Sequence, residues 1–228
     1  MIPVLYDVEE YTTILMSIYR NYDTYYGYGA IGSPANDRNR ARYKVPKAPD
    51  GSFIFDCSGY VYKAVPLGWN GDKNRVYGGA DPAKCMALYN CNDILKVCSG
   101  VSSDFSNIVP GEVLYMKGHV GYYIGDGLAL ECTTYKNVNR VIISNVTNVC
   151  KINGHPYPRK WLKHGKMPFL RYPEVKPVEK EYTTAKLGEG LIKIAKRSGI
   201  TFDEIKRLNP NIKAPLYIVL LGQKVRIK

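Results

Sequence analysis

The nonapeptide Phe53-Ile-Phe-Asp-Cys-Ser-Gly-Tyr-Val61 decides how the rest of the chain is read. An apolar, strand-like run (Phe53 to Phe55) meets an apolar, helix-like run (Tyr60, Val61, Ala64), and a cysteine stands at the junction. Pro66 ends the helical run, because proline inside a helix loses a hydrogen bond and clashes with the preceding turn. Cys57 is therefore expected in the first turn of a short helix. Unpaired backbone N–H groups and the helix dipole favour a thiolate there. The same N–H groups, that of Cys57 first, can bind the oxyanion of an acyl-transfer intermediate. A buried, inert cysteine is the commoner use of the residue. Asp56, Ser58 and Gly59 crowd this one too closely for a core position, so it reads as a nucleophile.

A nucleophilic thiol needs a base, and the chain has three histidines. His119 lies in Gly118-His-Val-Gly-Tyr-Tyr-Ile-Gly-Asp-Gly-Leu-Ala-Leu-Glu-Cys-Thr133, a hairpin pattern with Gly125-Asp-Gly127 at its turn. Glu131 sits on the return strand. Strand side chains alternate faces, so loop length decides whether the two meet. A three-residue loop pairs His119 with Thr133 and sets Glu131 diagonally on the same face. A two-residue loop turns Glu131 away. A catalytic pair thus requires the longer loop. His155 and His164 stand among Gly, Pro and Lys residues and are read as non-catalytic.

The whole chain sets bounds on these readings. Its 228 residues, 45% hydrophobic, suffice for one sizeable core plus a small appendage. No run approaches the roughly 20 apolar residues of a membrane span, so no membrane partner is expected. Asp7, Glu9 and Glu10 occupy the place of a signal peptide's basic and apolar regions. The protein is expected to be synthesised in a cytoplasm without such a signal. The net charge of +12 suggests a polyanionic partner. Lys and Arg are spread along the chain with no recognised binding motif, so nucleic acid is not expected. Cys85, Cys91 and Cys98 are too widely spaced for a zinc knuckle. They are read as reduced, buried small hydrophobes, and no metal or cofactor is expected.

Asp7 to Glu10 has the form of a capping box, and Val8, Tyr11, Leu15, Ile18, Tyr19 and Tyr22 recur at helical spacing. A helix over about 8–21 follows. Residues 22–50 read as a long loop forming one wall of a substrate groove, with Arg38 to Arg42 a solvated surface. Asp81-Pro82 starts a helix through Tyr89, Asn92-Asp93 a short one ending near Cys98, and Val113 to Met116 a strand. A further strand covers Asn139 to Ser144, and Trp161 to Pro168 reads as a closing strand and exit. Residues 172–180, rich in Pro and charge, form a linker. Beyond it, strand-like Tyr182 to Ala185, helical Leu191 to Ala195, a Thr201-capped helix and strand-like Gln223 to Ile227 make a β-α-α-β unit.

Two resemblances now have residues behind them. Residues 1–171 resemble NlpC/p60-family cell-wall cysteine peptidases through Phe55-Asp-Cys-Ser-Gly59, Pro110-Gly-Glu-Val113 and Gly118 to Gly127. The resemblance implies an α+β, papain-like hydrolase domain with N-terminal helices on an antiparallel sheet, and a Cys57–His119–Glu131 site. The third position, twelve residues after the histidine, is commonly another His in that family. A carboxylate can also orient the imidazole. The resemblance further implies that Asp56 and Ser58 contact a peptidoglycan stem peptide, with the D-γ-glutamyl–diamino acid bond cleaved. The ending Trp161-Leu-Lys-His-Gly-Lys-Met-Pro168 is similar to phage-type endolysins, which reach the wall with a holin. Residues 181–228 resemble a LysM module through Leu187 to Gly199, Leu208 to Ile212 and Leu221 to Ile227. That implies N-acetylglucosamine binding by Gly188, Glu189, Asn209, Pro210 and Asn211. A monomer acting at the bacterial cell wall is the combined expectation. An N-acetylmuramoyl-L-alanine amidase is the alternative within the same chemistry. A non-catalytic wall-binding or phage structural protein is the alternative outside it, and the presence of Cys57, His119 and a polar residue at 131 argues against it.

Overall fold

The computed structural model describes residues 2–74, 80–173, 181–187, 189–212 and 219–228. The chain divides into two compact units, Met1–Pro173 and Glu174–Lys228.

The first unit is mixed α/β. After a short strand β1 (Tyr6–Asp7), helix α1 (Val8–Asn21) turns Val8, Tyr11, Leu15 and Ile18 into the core at the expected spacing. Tyr19 is exposed instead. Asp7 does precede the helix, but its side chain makes no capping hydrogen bond, so the expected capping box is absent. The stretch read as loop is largely structured. It contains β2 (Thr24–Tyr26), β3 (Ile31–Pro34) and α2 (Asp37–Tyr43), the last capped by Asn36 and with no buried residue. With β4 (Phe53–Phe55) these strands make a three-stranded sheet in the order β2-β4-β3. Strands of three or four residues carry too little alternation to stand out in sequence.

A seven-stranded sheet follows from β5 (Ser99–Ser102), β6 (Val113–Met116), β7 (His119–Gly125), β8 (Leu128–Thr133), β9 (Arg140–Val146), β10 (Pro158–Arg159) and β11 (Lys163–Lys166), ordered β10-β9-β8-β7-β6-β11-β5. The strand expected over Asn139 to Ser144 is thus β9, shifted by one residue at its start and two at its end. The helix expected from Pro82 to Tyr89 is two single 3₁₀ turns, Pro82–Lys84 and Met86–Leu88, broken at the extended Cys85. The core between α1, the helical segment after Cys57 and the sheet is aromatic. The Tyr11 ring meets the rings of Tyr122 and Phe169, and its hydroxyl donates to the Val61 carbonyl. Tyr60 donates to the Leu15 carbonyl. A buried Tyr keeps a hydrogen bond while contributing a large apolar surface. These contacts fix the helical segment that carries Cys57 onto the sheet that carries His119. After β12 (Leu170–Arg171), which pairs with β1, Tyr172 donates to the Gly111 carbonyl and packs on this core. It belongs to the first unit rather than to a linker; residues 174–180 of that linker lie outside the described residues.

The second unit has β13 (Tyr182–Thr184) antiparallel to β14 (Lys224–Arg226), with α3 (Leu191–Arg197) and α4 (Phe202–Leu208) between them in sequence. Its core gathers Ala185, Leu191, Ile194, Ala195, Ile205, Val219 and Val225. Ile192 points outward. Thr201 and Glu204 form a complete capping box at α4.

Candidate active site

Cys57 follows directly on β4, at the start of a helical segment whose central turn, Gly59–Lys63, is widened to π-helical form. Asp56 organises this start. Its carboxylate accepts from the Gly29 N–H at 3.0 Å, from the Ser58 hydroxyl at 2.9 Å and from the Gly59 N–H. The Asp56 N–H donates to the Ala30 carbonyl at 2.7 Å, which lies so close to the helix that a Cβ at Gly59 would sit 2.1 Å from that oxygen. Only glycine fits there. Asp56 and Ser58 are therefore buried and hydrogen-bonded to the fold. Both side chains brace the turn that carries Cys57.

The backbone N–H groups of Val120 and Ser58 favour the ionised form of the Cys57 thiol, and Cys57 in turn lowers the pKa of the neighbouring Cys91 thiol against the rise that burial causes. Cys91 is half-buried, not the sealed small hydrophobe that its sequence suggested. Burial first, and the Asp56 charge second, push the Cys57 thiol up to about 12, outweighing the N–H groups that favour the anion. Both causes favour the neutral thiol at Cys57.

Val120 is the neighbour of His119, so its influence on the Cys57 thiol sets the thiol beside the hairpin. The β7–β8 register pairs Tyr122 with Leu130 and Tyr123 with Ala129, then shifts to pair Gly125 with Leu128. Asp126 and Gly127, both at positive φ, make a two-residue turn. By face parity alone, such a turn sends Glu131 to the face opposite His119. The bulge between Tyr123 and Gly125 reverses that conclusion by inserting one residue before the turn. Glu131 and His119 share a face. The Glu131 carboxylate lies 2.6 Å from His119 Nε2. With Nε2–H donating to Glu131, Nδ1 carries the lone pair.

Two residues not singled out as site residues complete the cluster. Arg159 donates from Nε to both Glu131 oxygens at 3.0 and 3.1 Å, and from Nη2 to Glu131 at 2.6 Å and to Thr133 at 2.8 Å. Trp161 lies 5.7 Å from the His119 ring, nearly parallel to it. Its indole also explains the glycine in His119-Val-Gly121, since a Cβ at Gly121 would come within 2.8 Å of it. Glu131 is wholly buried. Burial favours its neutral form, but the bonds from His119 and Arg159 win and lower its pKa to about 2. Tyr26 faces the thiol from β2, and burial together with the Cys57 and Asp56 charges raises its pKa.

In the second unit Glu189 is bonded to Arg197 at 2.9 Å and to the Lys186 N–H at 2.9 Å. The Asn209 amide donates to the Ile205 and Arg226 carbonyls and accepts from the Arg226 N–H, tying α4 to β14. Pro210 and Asn211 are exposed, and Gly188 lies outside the described residues.

The LysM domain model matches residues 184–228. LysM domains bind the N-acetylglucosamine glycan of peptidoglycan, which associates this chain with a cell wall. No curated protein sequence matches the chain. Among solved structures the chain is similar to NlpC1 from Trichomonas vaginalis, at 15% identity and a TM-score of 0.38, covering 70% of this chain and 44% of that one. It is similar to NlpC2 from the same organism at 17% identity and a TM-score of 0.37, covering 71% and 46%. The chain spans less than half the length of either. Residues 184–228 are a LysM domain, joined in one chain to a mixed α/β unit that places a cysteine beside a histidine–glutamate–arginine cluster.

Proposed function

We propose that the protein hydrolyses an amide in the stem peptide of bacterial peptidoglycan, with Cys57 as nucleophile, His119 as general base and acid, and Glu131 orienting the imidazole. The observation that carries this reading is the hairpin geometry: His119 is held by Glu131 through Nε2 at 2.6 Å, and the backbone of the next residue, Val120, acts electrostatically on the Cys57 thiol. His119 Nδ1 takes the thiol proton as the sulfur attacks the carbonyl carbon. The Cys57 backbone N–H is the candidate donor to the resulting oxyanion. His119 then protonates the leaving amine, and water releases the acyl group from the sulfur. His119 either takes the thiol proton in the attack step or already holds it as the imidazolium partner of a thiolate. The domain arrangement that resembles papain-like NlpC/p60 hydrolases belongs to the same proposal, as does cleavage at the D-γ-glutamyl–diamino acid bond.

The LysM domain supplies the polymer. A glycan-binding module in the same chain raises the local concentration of stem peptide around the thiol, and the net charge of +12 favours anionic wall polymers. Digestion of purified peptidoglycan, with the new amino termini identified by mass spectrometry, tests the reading. A free diamino-acid amine is expected. Release of no amine would sink it, whereas a free N-terminal L-alanine would keep the chemistry and move the bond.

A further inference from the structure

Glu131 carries one buried negative charge, and two groups share it. His119 Nε2 and Arg159 Nη2 each reach Oε2 at 2.6 Å, and these two nitrogens lie 3.4 Å apart. Arg159 comes from β10, placed by parallel pairing with β9, and the Tyr135 ring covers its guanidinium at 3.9 Å. It makes four hydrogen bonds to the side chains of Glu131 and Thr133. That is more than a bystander cation would make.

We infer that Arg159 is a positioning residue that balances the buried charge of Glu131, so that His119 rather than the carboxylate gains and gives up the exchangeable proton of the site. The inference rests on the reading of His119 as the base. Without Arg159, the pair would carry one negative charge with a neutral ring and none with a protonated ring. A buried site favours the second state, which holds the ring protonated and unable to accept from a neutral thiol. With Arg159, which does not lose its proton in a protein, the cluster is neutral when the ring is neutral. The ring is then ready to accept. Glu131 remains ionised and keeps accepting from Nε2–H, fixing the tautomer that leaves Nδ1 open. A carboxylate and a guanidinium together thus present the imidazole with the net charge that a neutral third residue would.

The other titratable and charged groups around the cluster are few. Among the described residues, Cys132 from β8 lies next to Glu131, Cys57 and Asp56 face the hairpin from the helix side, and the Tyr135 ring meets both Arg159 and Lys136. Trp161 covers the ring without charge.

The test is the titration of His119 followed by NMR in the full chain, read beside the pH profile of wall hydrolysis. In R159Q the His119 pKa is expected to rise by about one unit or more, the size of effect that one nearby charge exerts. The acid limb of the rate profile should move with it. R159K, which keeps the charge, should leave the titration near that of the unmodified protein while losing rate through poorer geometry. R159Q strands a buried carboxylate; where it does not fold, E131Q and E131Q/R159Q carry the test, the second expected to titrate about one unit above the first. An unchanged His119 titration in R159Q, or between E131Q and E131Q/R159Q, overturns the inference and leaves Arg159 a structural brace. A protein that cleaves no wall amide yet shows these titration shifts would overturn the hydrolase reading alone, so the two failures are separable.

Discussion

The first unit holds two histidine–glutamate pairs on one sheet, and they are built to opposite ends. His119 on β7 meets Glu131 on β8 with its side chain 13% exposed and a guanidinium sharing the same carboxylate oxygen. His164 on β11 bonds Glu112 through Nδ1 and the Asp104 carbonyl through Nε2, and both side chains are almost wholly enclosed. No arginine bonds Glu112 among the described residues. Desolvation wins there and raises the Glu112 pKa, whereas the bonds from His119 and Arg159 pull that of Glu131 down to about 2. The pairing of residue types is the same. Access to the ring and the third charge separate a site from a strut. Glu112 of Pro110-Gly-Glu-Val113 and His164 of Trp161 to Pro168, two segments of the family resemblance, meet in the enclosed pair, while Trp161 itself stacks on His119.

The sharpest way to break the comparison is to remove each histidine. His119→Ala should abolish wall hydrolysis, by roughly 10³-fold or more if the residue acts as base and acid, while thermal unfolding stays cooperative. His164→Ala should do the reverse. It strands a buried carboxylate, an effect of about 3–5 kcal/mol on stability, measurable as a lower denaturant midpoint. Loss of activity with unchanged stability in His164→Ala would erase the distinction between site and strut.

Glu131→Gln should lower the rate by roughly two orders of magnitude, since a neutral partner no longer stabilises the imidazolium. Its stability should respond to acid in a defined direction. The folded-state pKa of about 2 lies below the ordinary value of 4.5, so the ionised Glu131 contributes fully above about pH 4.5 and its contribution drains away as pH falls toward 2. Unfolding curves between those values should be steeper in pH for the unmodified protein than for Glu131→Gln. Equal slopes would mean that the carboxylate is not the acid-sensitive group.

Gly121→Ala forces a methyl group against Trp161 behind the His119 ring. Overpacking of this kind costs about 1–3 kcal/mol and should lower the rate along with the melting temperature. Asn209→Ala gives the smallest effect: loss of the α4–β14 tie should destabilise the LysM domain by about 1–2 kcal/mol, and wall hydrolysis should change less than in His119→Ala, Glu131→Gln or Gly121→Ala. A glycan-affinity loss without destabilisation would return Asn209 to the binding surface.

Much of the site could be read from the chain, and the parts that could not have physical reasons. The junction at Cys57 was visible because an acidic and two small residues interrupt an apolar run. The hydrogen bonds of Asp56 to Gly29, Ser58 and Gly59 were not, since a carboxylate that caps a helix and one that faces solvent look alike in sequence. The hairpin was announced by Gly125-Asp-Gly127. Its bulge was hidden, because a backbone shift of one residue at Gly125 (φ 98°) leaves no compositional trace. Arg159 was invisible for a different reason: the parallel β9–β10 pairing that delivers it depends on partners distant in sequence. Sequence reads local grammar well, and charge balance across four strands is not local.

The central claim is that Cys57 attacks a wall amide with His119 as its base. Purified peptidoglycan digested by the full chain and by Cys57→Ala, with products resolved by mass spectrometry, tests it most directly. The account predicts a new stem-peptide amine from the unmodified protein and none from Cys57→Ala. The same amine from both proteins, or from neither, would contradict it.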